Sequence, residues 1–216
     1  MLEKMSEFFE NRIDGYDEHM MKNIDSAEVF YPFTASLLTA KEKACILDLG
    51  CGTGLELGEY WNLNPSAKVT GIDLSQGMLD VLKAKFPQKD IELICGSYFD
   101  VPLGENKFDG AVSVESLHHF TKSQKLSLYE NLHRALKLNG YFVLTDYFSL
   151  SEAEETECFE ELRKLKGEQG ITDNEFYHYD IPLTVEHEME ALGDAGFSKV
   201  EIMGNWGATY TLKAYK

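Results

Sequence analysis

The sequence predicts an α/β fold, a mostly parallel sheet with helices on both faces, and three observations carry that prediction. From residue 44 onward short apolar runs alternate with helical patterns, an order that sets parallel strands side by side. Three glycines, Gly50, Gly52 and Gly54, follow the first apolar run at once in "ILDLGCGTG". The last two apolar runs are separated by only "GNWG". A parallel crossover needs about a dozen residues or more, so the sheet ends in an antiparallel hairpin.

Residues 3–39 read as two or three short helices ending in "AEVFYPFTASLLT". The alternation then runs as strand 44–49, helix 54–61, strand 67–72, helix 76–86, strand 90–95, strand 108–114, helix 122–138 and strand 140–148, on apolar periodicity and turn residues. Ser75 caps the helix carrying "MLDVLKAKF", Thr121 and Gln124 form a capping-box pair, and Gly140 stops the helix ending in "LHRALKLN", by the usual terminal signals. The stretch 150–183 interrupts the pattern with an acidic helix, opened by Ser151 and Glu154, and then the aromatic run "NEFYHYDIP". This stretch reads as an insertion over one end of the sheet. Helix 184–195, stopped by Gly196, a strand at 197–203 and the last strand "ATYTLKAY" complete the chain.

With 216 residues and 44% hydrophobic side chains, the chain suits one sizeable core. The expectation is a single domain over 1–216, with a helical cap at 1–39 and a lid insertion at 150–183. A formal charge of −17, from 37 acidic and 20 basic side chains, disfavours a nucleic-acid partner, whose phosphates such a surface repels. Cys45, Cys51, Cys95 and Cys158 show no paired spacing, which points to reduced thiols and a cytoplasmic setting. The charged N-terminus has no stretch of signal or membrane-spanning length, so no membrane association is expected.

Glycines after a buried strand cost conformational entropy, and at the carboxyl end of a parallel strand they face the place where ligands bind. There the backbone approaches a ligand closely, and N–H groups at the next helix start meet an anionic group. Asp73 ends the next strand, 23 residues after Gly50, the spacing at which a carboxylate reaches a ribose diol. The diol offers two donors and a carboxylate only accepts. A dinucleotide loop requires G-x-G-x-x-G, but Leu55 stands at the third position after Gly52, so the spacing is G-x-G-x-G.

These motifs resemble the class I S-adenosylmethionine-dependent methyltransferases, small-molecule type. "ILDLGCGTG" is similar to that family's first motif and "GIDLS" with Met78 to its second. "ICGSYFDVPLGENKFDGAVSVESLHHF" resembles its adenine and methionine segments, and "LHRALKLNGYFVLTDY" its fifth strand with the helix before it. The resemblance implies a Rossmann-like three-layer sandwich with a seven-stranded sheet whose last strand is antiparallel. It implies S-adenosyl-L-methionine as cofactor and S-adenosyl-L-homocysteine as product. Asp48 and the backbone at Gly50, Cys51 and Gly52 are then expected at the methionyl ammonium, Asp73 at the ribose, Leu74 and Met78 at the adenine, and Val114 beside the methionine part. Ser97 and Tyr98 follow the third strand; Ser97 stands where the family commonly has an acid at the adenine amino group, and its hydroxyl accepts as well. Tyr16, in "RIDGYDEHM", is expected to contact the bound molecules.

Methyl transfer from a sulfonium is an in-line displacement from a good leaving group, so positioning and water exclusion carry much of it. A base is needed only where the acceptor loses a proton. His118 and His119 follow the fourth strand and are the candidates, with His119 the better match to a buried anchor of its loop. Glu115, Tyr147, Tyr177 and His178 are candidate acceptor contacts; Tyr147 lines the pocket or simply packs. Trp206 reads more readily as a hairpin packing residue than as a pocket wall. No metal is expected, because no cysteine or acid stands at ligand spacing beside the histidines. The leading expectation is methyl transfer to a small-molecule acceptor. A binding module without catalysis is the alternative, and an NAD-dependent oxidoreductase a more distant one that the glycine spacing opposes.

Overall fold

The computed structural model describes residues 1–173 and 175–216. Three N-terminal helices, α1 (Met5–Glu10), α2 (Tyr16–Asn23) and α3 (Ala27–Ser36), precede the alternating region. That region runs β1 (Cys45–Leu49), α4 (Leu55–Leu63), β2 (Lys68–Asp73), α5 (Gln76–Lys85), β3 (Ile91–Cys95), β4 (Phe108–Val114), a single 3-10 turn (Leu117–His119), α6 (Lys122–Ala135) and β5 (Leu136–Tyr147). Helices α7 (Glu152–Glu168) and α8 (Val185–Asp194) and the hairpin β6 (Lys199–Trp206) and β7 (Thr209–Tyr215) follow. The seven strands lie in the order β3-β2-β1-β4-β5-β7-β6. Only β7 runs against its neighbours β5 and β6, so the expected mostly parallel sheet with a reversed last strand is present.

Side chains alternate across each strand, and the sheet accordingly has two cores. Leu47 and Leu49 of β1, with Phe142 and Leu144 of β5, pack toward α6 and α8. Ile46, Val112 and Val143 pack the other way, against α3 and α4. One charged group crosses into the first layer: Lys125 of α6 pairs with Glu188 of α8 at 2.5 Å, with side chains 2% and 0% exposed, and the Tyr129 hydroxyl donates to the same carboxylate.

Ser75 accepts from the Met78 amide at 3.1 Å, and the Thr121–Gln124 capping box is complete. Two boundaries differ from the sequence expectation. Helix α6 stops at Ala135 rather than 138, because Leu136 already pairs with Phe108 in the sheet. While β4 advances from Phe108 to Gly110, β5 advances from Leu136 to Tyr141, a bulge that holds Asn139 at φ 63°. Gly140 belongs to this bulge, where an added Cβ would lie 2.8 Å from the Lys137 carbonyl; it is not a helix stop. The strand expected at 197–203 continues to Trp206, and Gly207, at φ 67°, begins the two-residue turn before Thr209, the usual tight hairpin.

Helix α7 has no buried residue. The chain after it returns over the carboxyl ends of the strands: Met5 N–H donates to the Phe176 carbonyl (2.9 Å), His178 N–H to Glu3 (3.0 Å) and Ile181 N–H to His118 (2.9 Å). Asn174, in the aromatic run "NEFYHYDIP", lies outside the described residues. Among the described residues no helix is long and apolar enough to cross a membrane, and the four cysteines are free thiols.

Candidate active site

Strand order reverses between β1 and β4, the switch point where open α/β sheets bind ligands. The glycine loop sits there. Gly50, Gly52 and Gly54 have φ of 78°, 46° and 75°, the left-handed region that other residues enter at a cost. Space adds a second reason: a Cβ at Gly50 would lie 2.1 Å from Ser116 Oγ, and one at Gly54 2.3 Å from Leu82. A Cβ at Gly52 would point at the Tyr16 ring, 3.9 Å away, across the cleft.

Asp73 clasps this loop from the next strand. Its Oδ2 accepts from Gly52 N–H at 2.8 Å and its Oδ1 from Ser75 N–H at 2.9 Å. Burial raises its pKa from the ordinary carboxylate value. Seven of the ten residues expected at the cofactor line a cleft at this point: Gly50, Gly52, Asp73, Leu74, Met78, Tyr98 and Val114. Met5, Phe9, Tyr16, Glu115, Ser116 and His119 complete it.

The other three do not line it. The Cys51 side chain turns away into the core, filling the space beside Gly71. Ser97 Oγ accepts from Phe99 N–H at 3.2 Å, so its hydroxyl caps the turn after β3. Asp48 lies behind the loop with no exposure, and neither carboxylate oxygen has a hydrogen-bond partner among the described residues. Glu56 is buried beside it. Burial raises the Asp48 pKa, with Glu56 adding to the effect, and burial pushes Glu56 up to about 7. An unpartnered buried carboxylate costs free energy unless something cationic or hydrogen-donating meets it. The donor set therefore fits a ligand with a diol, a flat apolar ring and an ammonium.

The cleft holds only about 40 Å³, because the N-terminal helices close over it. Glu10 accepts from Ser75 Oγ (2.6 Å) and Gly77 N–H (3.2 Å) at the start of α5. Asp17 pairs with Lys85 at 2.6 Å and accepts from the Thr53 hydroxyl. Tyr16 lies between these clasps and is half-buried; desolvation raises its phenol pKa well above the ordinary value.

A larger cavity of about 840 Å³ adjoins the cleft, and Phe9, Tyr16, Glu115 and His119 line both. Its walls include Phe8, Arg12, Tyr147, His178 and Trp206. Tyr147 thus lines the space, and Trp206 does so while also packing on Phe33, with ring centroids 5.1 Å apart. Tyr177 does not reach it; its hydroxyl donates to Asp173 on the outer side of the insertion.

The polar end of this cavity is a cluster that the sequence did not announce. His118 Nδ1 donates to Asp146 Oδ1 at 2.5 Å, and Asp146 also accepts from Leu117 N–H at 2.8 Å. Burial alone would lower the His118 pKa; the charge and hydrogen bond of Asp146 reverse this and lift it to about 9. His119 Nδ1 lies 3.1 Å from Asp180 Oδ1 and 3.2 Å from the Tyr179 carbonyl. Burial, with His118 adjacent, holds it down at about 4. Glu115 sits between the two spaces with φ 49°, a strained conformation of the kind that clusters at functional sites. Its buried Oε1 has no partner among the described residues, and burial together with the Asp146 charge pushes its pKa up to about 8. The expectation that no acid accompanies the histidines is corrected by folding: Asp146 comes from the end of β5, where strand-end position was an available signal, and Asp180 from the insertion, where none was.

Residues 46–140 match the family model of a methyltransferase domain. A demethylmenaquinone methyltransferase of Symbiobacterium thermophilum is 36% identical over 103 residues, 45% of this chain and 40% of that protein. An uncharacterized methyltransferase of Synechocystis is 32% identical over 124 residues, 57% of either chain. The chain thus spans about half the length of these curated relatives. Among solved structures, a putative O-methyltransferase of Nostoc punctiforme superposes with a TM-score of 0.74 at 20% identity, covering 99% of this chain and 61% of that one.

Proposed function

We propose that this chain, whose residues 46–140 match a methyltransferase domain, is a class I S-adenosylmethionine-dependent methyltransferase that methylates a small-molecule acceptor held in the large cavity. The observation that carries the reading is the Asp73–Gly52 clasp at the β1/β4 switch point, in a cleft that opens onto an acceptor-sized space of about 840 Å³. Ligand pockets usually lie at about 300–1,000 Å³.

S-adenosylmethionine, when bound, supplies an electrophilic methyl group on a sulfonium with a neutral thioether as leaving group. Asp73 accepts from the ribose diol on the lone pairs that its two backbone partners leave free. Leu74 and Met78 pack on the purine, and Tyr98 and Val114 form the far wall. Asp48, whose raised pKa keeps it protonated in the free chain, would ionise behind the glycine loop as the countercharge of the methionyl ammonium. Tyr16 and Phe9 exclude water when the N-terminal helices close. In the acceptor space we place His118, rather than His119, beside the reacting atom: its Nδ1 is committed to Asp146, which leaves Nε2 for the cavity, whereas His119 ties down the insertion. Tyr147, His178 and Glu115 contact the acceptor.

Calorimetric titration with S-adenosylmethionine, S-adenosylhomocysteine and NAD tests the reading. The sulfur cofactors are expected to bind and NAD not to. Tight binding of NAD with neither of the others overturns it.

A further inference from the structure

We propose that His118, His119 and Asp180 form a binding site for one first-row divalent transition ion at the polar end of the acceptor cavity. One ring nitrogen of His118, one of His119 and a carboxylate oxygen of Asp180 all fall within 4.8 Å of one another. Asp180 Oδ1 is 3.6 Å from His118 Nε2 and 3.1 Å from His119 Nδ1. Ligands bound at 2.0–2.2 Å in tetrahedral geometry stand about 3.3 Å apart, so the three donors need little movement to share an ion.

Two further features point to a cation rather than to a closed hydrogen-bond network. Asp146, 1% exposed, holds His118 by Nδ1; this orients the ring so that Nε2 faces Asp180, where the ion takes the place of the Nε2 proton, as carboxylates orient metal-bound histidines. Glu115 adds a third carboxylate to a cluster with two imidazoles, and its buried Oε1 lacks a partner among the described residues. Glu115, His118 and Asp146 themselves approach within 4.8 Å, so carboxyl groups surround the proposed ion, whose charge favours their ionised form. In the ion-free chain His119 Nδ1 carries a hydrogen toward the Tyr179 carbonyl, and the ion takes the place of that hydrogen.

Two histidines and one carboxylate leave coordination positions open toward the cavity, the arrangement of ions that act on a bound ligand rather than only brace a fold. The ligand class is an acceptor with an oxygen donor, a hydroxyl or a carboxylate. This last step rests on the methyltransferase reading: the ion-bound oxygen, having lost its proton to solvent, forms the C–O bond while the C–S electron pair leaves on sulfur. Ion binding itself does not rest on it.

The test reads binding alone. Chelator-treated protein is titrated with Zn²⁺ by calorimetry and with Co²⁺ by visible absorption. The native chain is expected to bind one ion, with Zn²⁺ displacing Co²⁺ and its ligand-field bands. Asp180 is half exposed, so Asp180→Asn keeps the fold, as a thermal melt checks. Its affinity should fall by more than the roughly 10–100-fold that loss of an outer-shell partner costs. Asp146→Asn, a change at a positioning residue, should fall within that outer-shell range, and His133→Gln, remote from the cavity, should bind as the native chain does. No saturable binding by the native chain overturns the proposal, and so does native affinity in Asp180→Asn, which would mean an ion held elsewhere on the acidic surface.

Discussion

Replacing Asp73 tests the cofactor assignment most directly, and the structure sets the size of the effect. Each carboxylate oxygen already accepts one backbone N–H, from Gly52 and from Ser75, and each keeps a lone pair for one ribose hydroxyl. Hydrogen bonds to a charged acceptor contribute about 1.5–3 kcal/mol apiece. Because the ribose regains water when the contact is lost, Asp73→Ala should weaken S-adenosylhomocysteine binding by about 2–4 kcal/mol, or about 30- to 900-fold in Kd. The same substitution frees the Gly52 and Ser75 amides and loosens the loop, so a loss of affinity alone does not separate clasp from contact. A 2′-deoxy analogue of the ligand supplies the second arm of a cycle. Calorimetry on both proteins with both ligands should show the analogue bound more weakly than the parent by the native chain and about equally by Asp73→Ala. An unchanged Kd on substitution, or losses that simply add, would refute the ribose role.

Other outcomes follow from the same geometry. Lys125→Met should destabilise the chain by about 3–5 kcal/mol, because it leaves the Glu188 carboxylate buried and uncompensated; at about 2–4 °C per kcal/mol the melting point falls by about 6–20 °C, and adding Glu188→Leu should restore most of it. A Lys125→Met melt within about 2 °C of native contradicts the buried pair. Glu56, pushed up to about 7 by burial, binds its proton more tightly folded than unfolded, so its contribution to stability should be lost as pH rises from its unfolded value through about 7; Glu56→Gln should make the decline shallower over that window in melting curves without ligand, while Asp48 and Glu115, also raised, sustain the rest. Gly50→Ala should cost about 1–2 kcal/mol from its left-handed backbone alone, and adding Ser116→Gly should relieve the steric part only, leaving that remainder in denaturant titrations. The 40 Å³ cleft is far smaller than a nucleoside, so the roof must lift for entry: hydrogen exchange at residues 5–23 should be fast in the free chain and slow by at least tenfold with S-adenosylhomocysteine bound, and equal protection in both states would place the cofactor elsewhere.

What the sequence made legible was local. Gly50, Gly52 and Gly54 declare their backbone angles by residue type, and Asp73 declares its role by strand-end position, because both depend on a few neighbouring residues. The end of α6 was not legible for the converse reason. "LKLN" fits a last helical turn and a strand equally well by pattern, and only pairing of Leu136 with Phe108 decides for the strand. Ser97 was expected at the ligand from its place in a motif, but its hydroxyl caps its own turn; Cys51 was expected there by its backbone alone, and its thiol fills the core beside Gly71.

The acceptor end shows the limit most sharply. His118 and His119 were visible, yet their chemistry is set by Asp146, 28 residues from His118, and by Asp180, 61–62 residues from the pair, on different elements. Neighbouring histidines of one 3-10 turn thereby acquire opposite character, one raised to about 9 and the other lowered to about 4. Burial acts on both in the same direction; the buried carboxylate behind His118 separates them. Glu115 joins the two halves of the site. It directly follows β4, where the pairing with β5 ends and the chain turns into the histidine segment, and φ 49° is the backbone price of aiming its carboxylate between cofactor cleft and acceptor cavity. A glycine there would adopt that angle without strain but would remove the one carboxylate among the described residues that faces both spaces, so the strained glutamate is better explained by the chemistry of the site than by the needs of the turn.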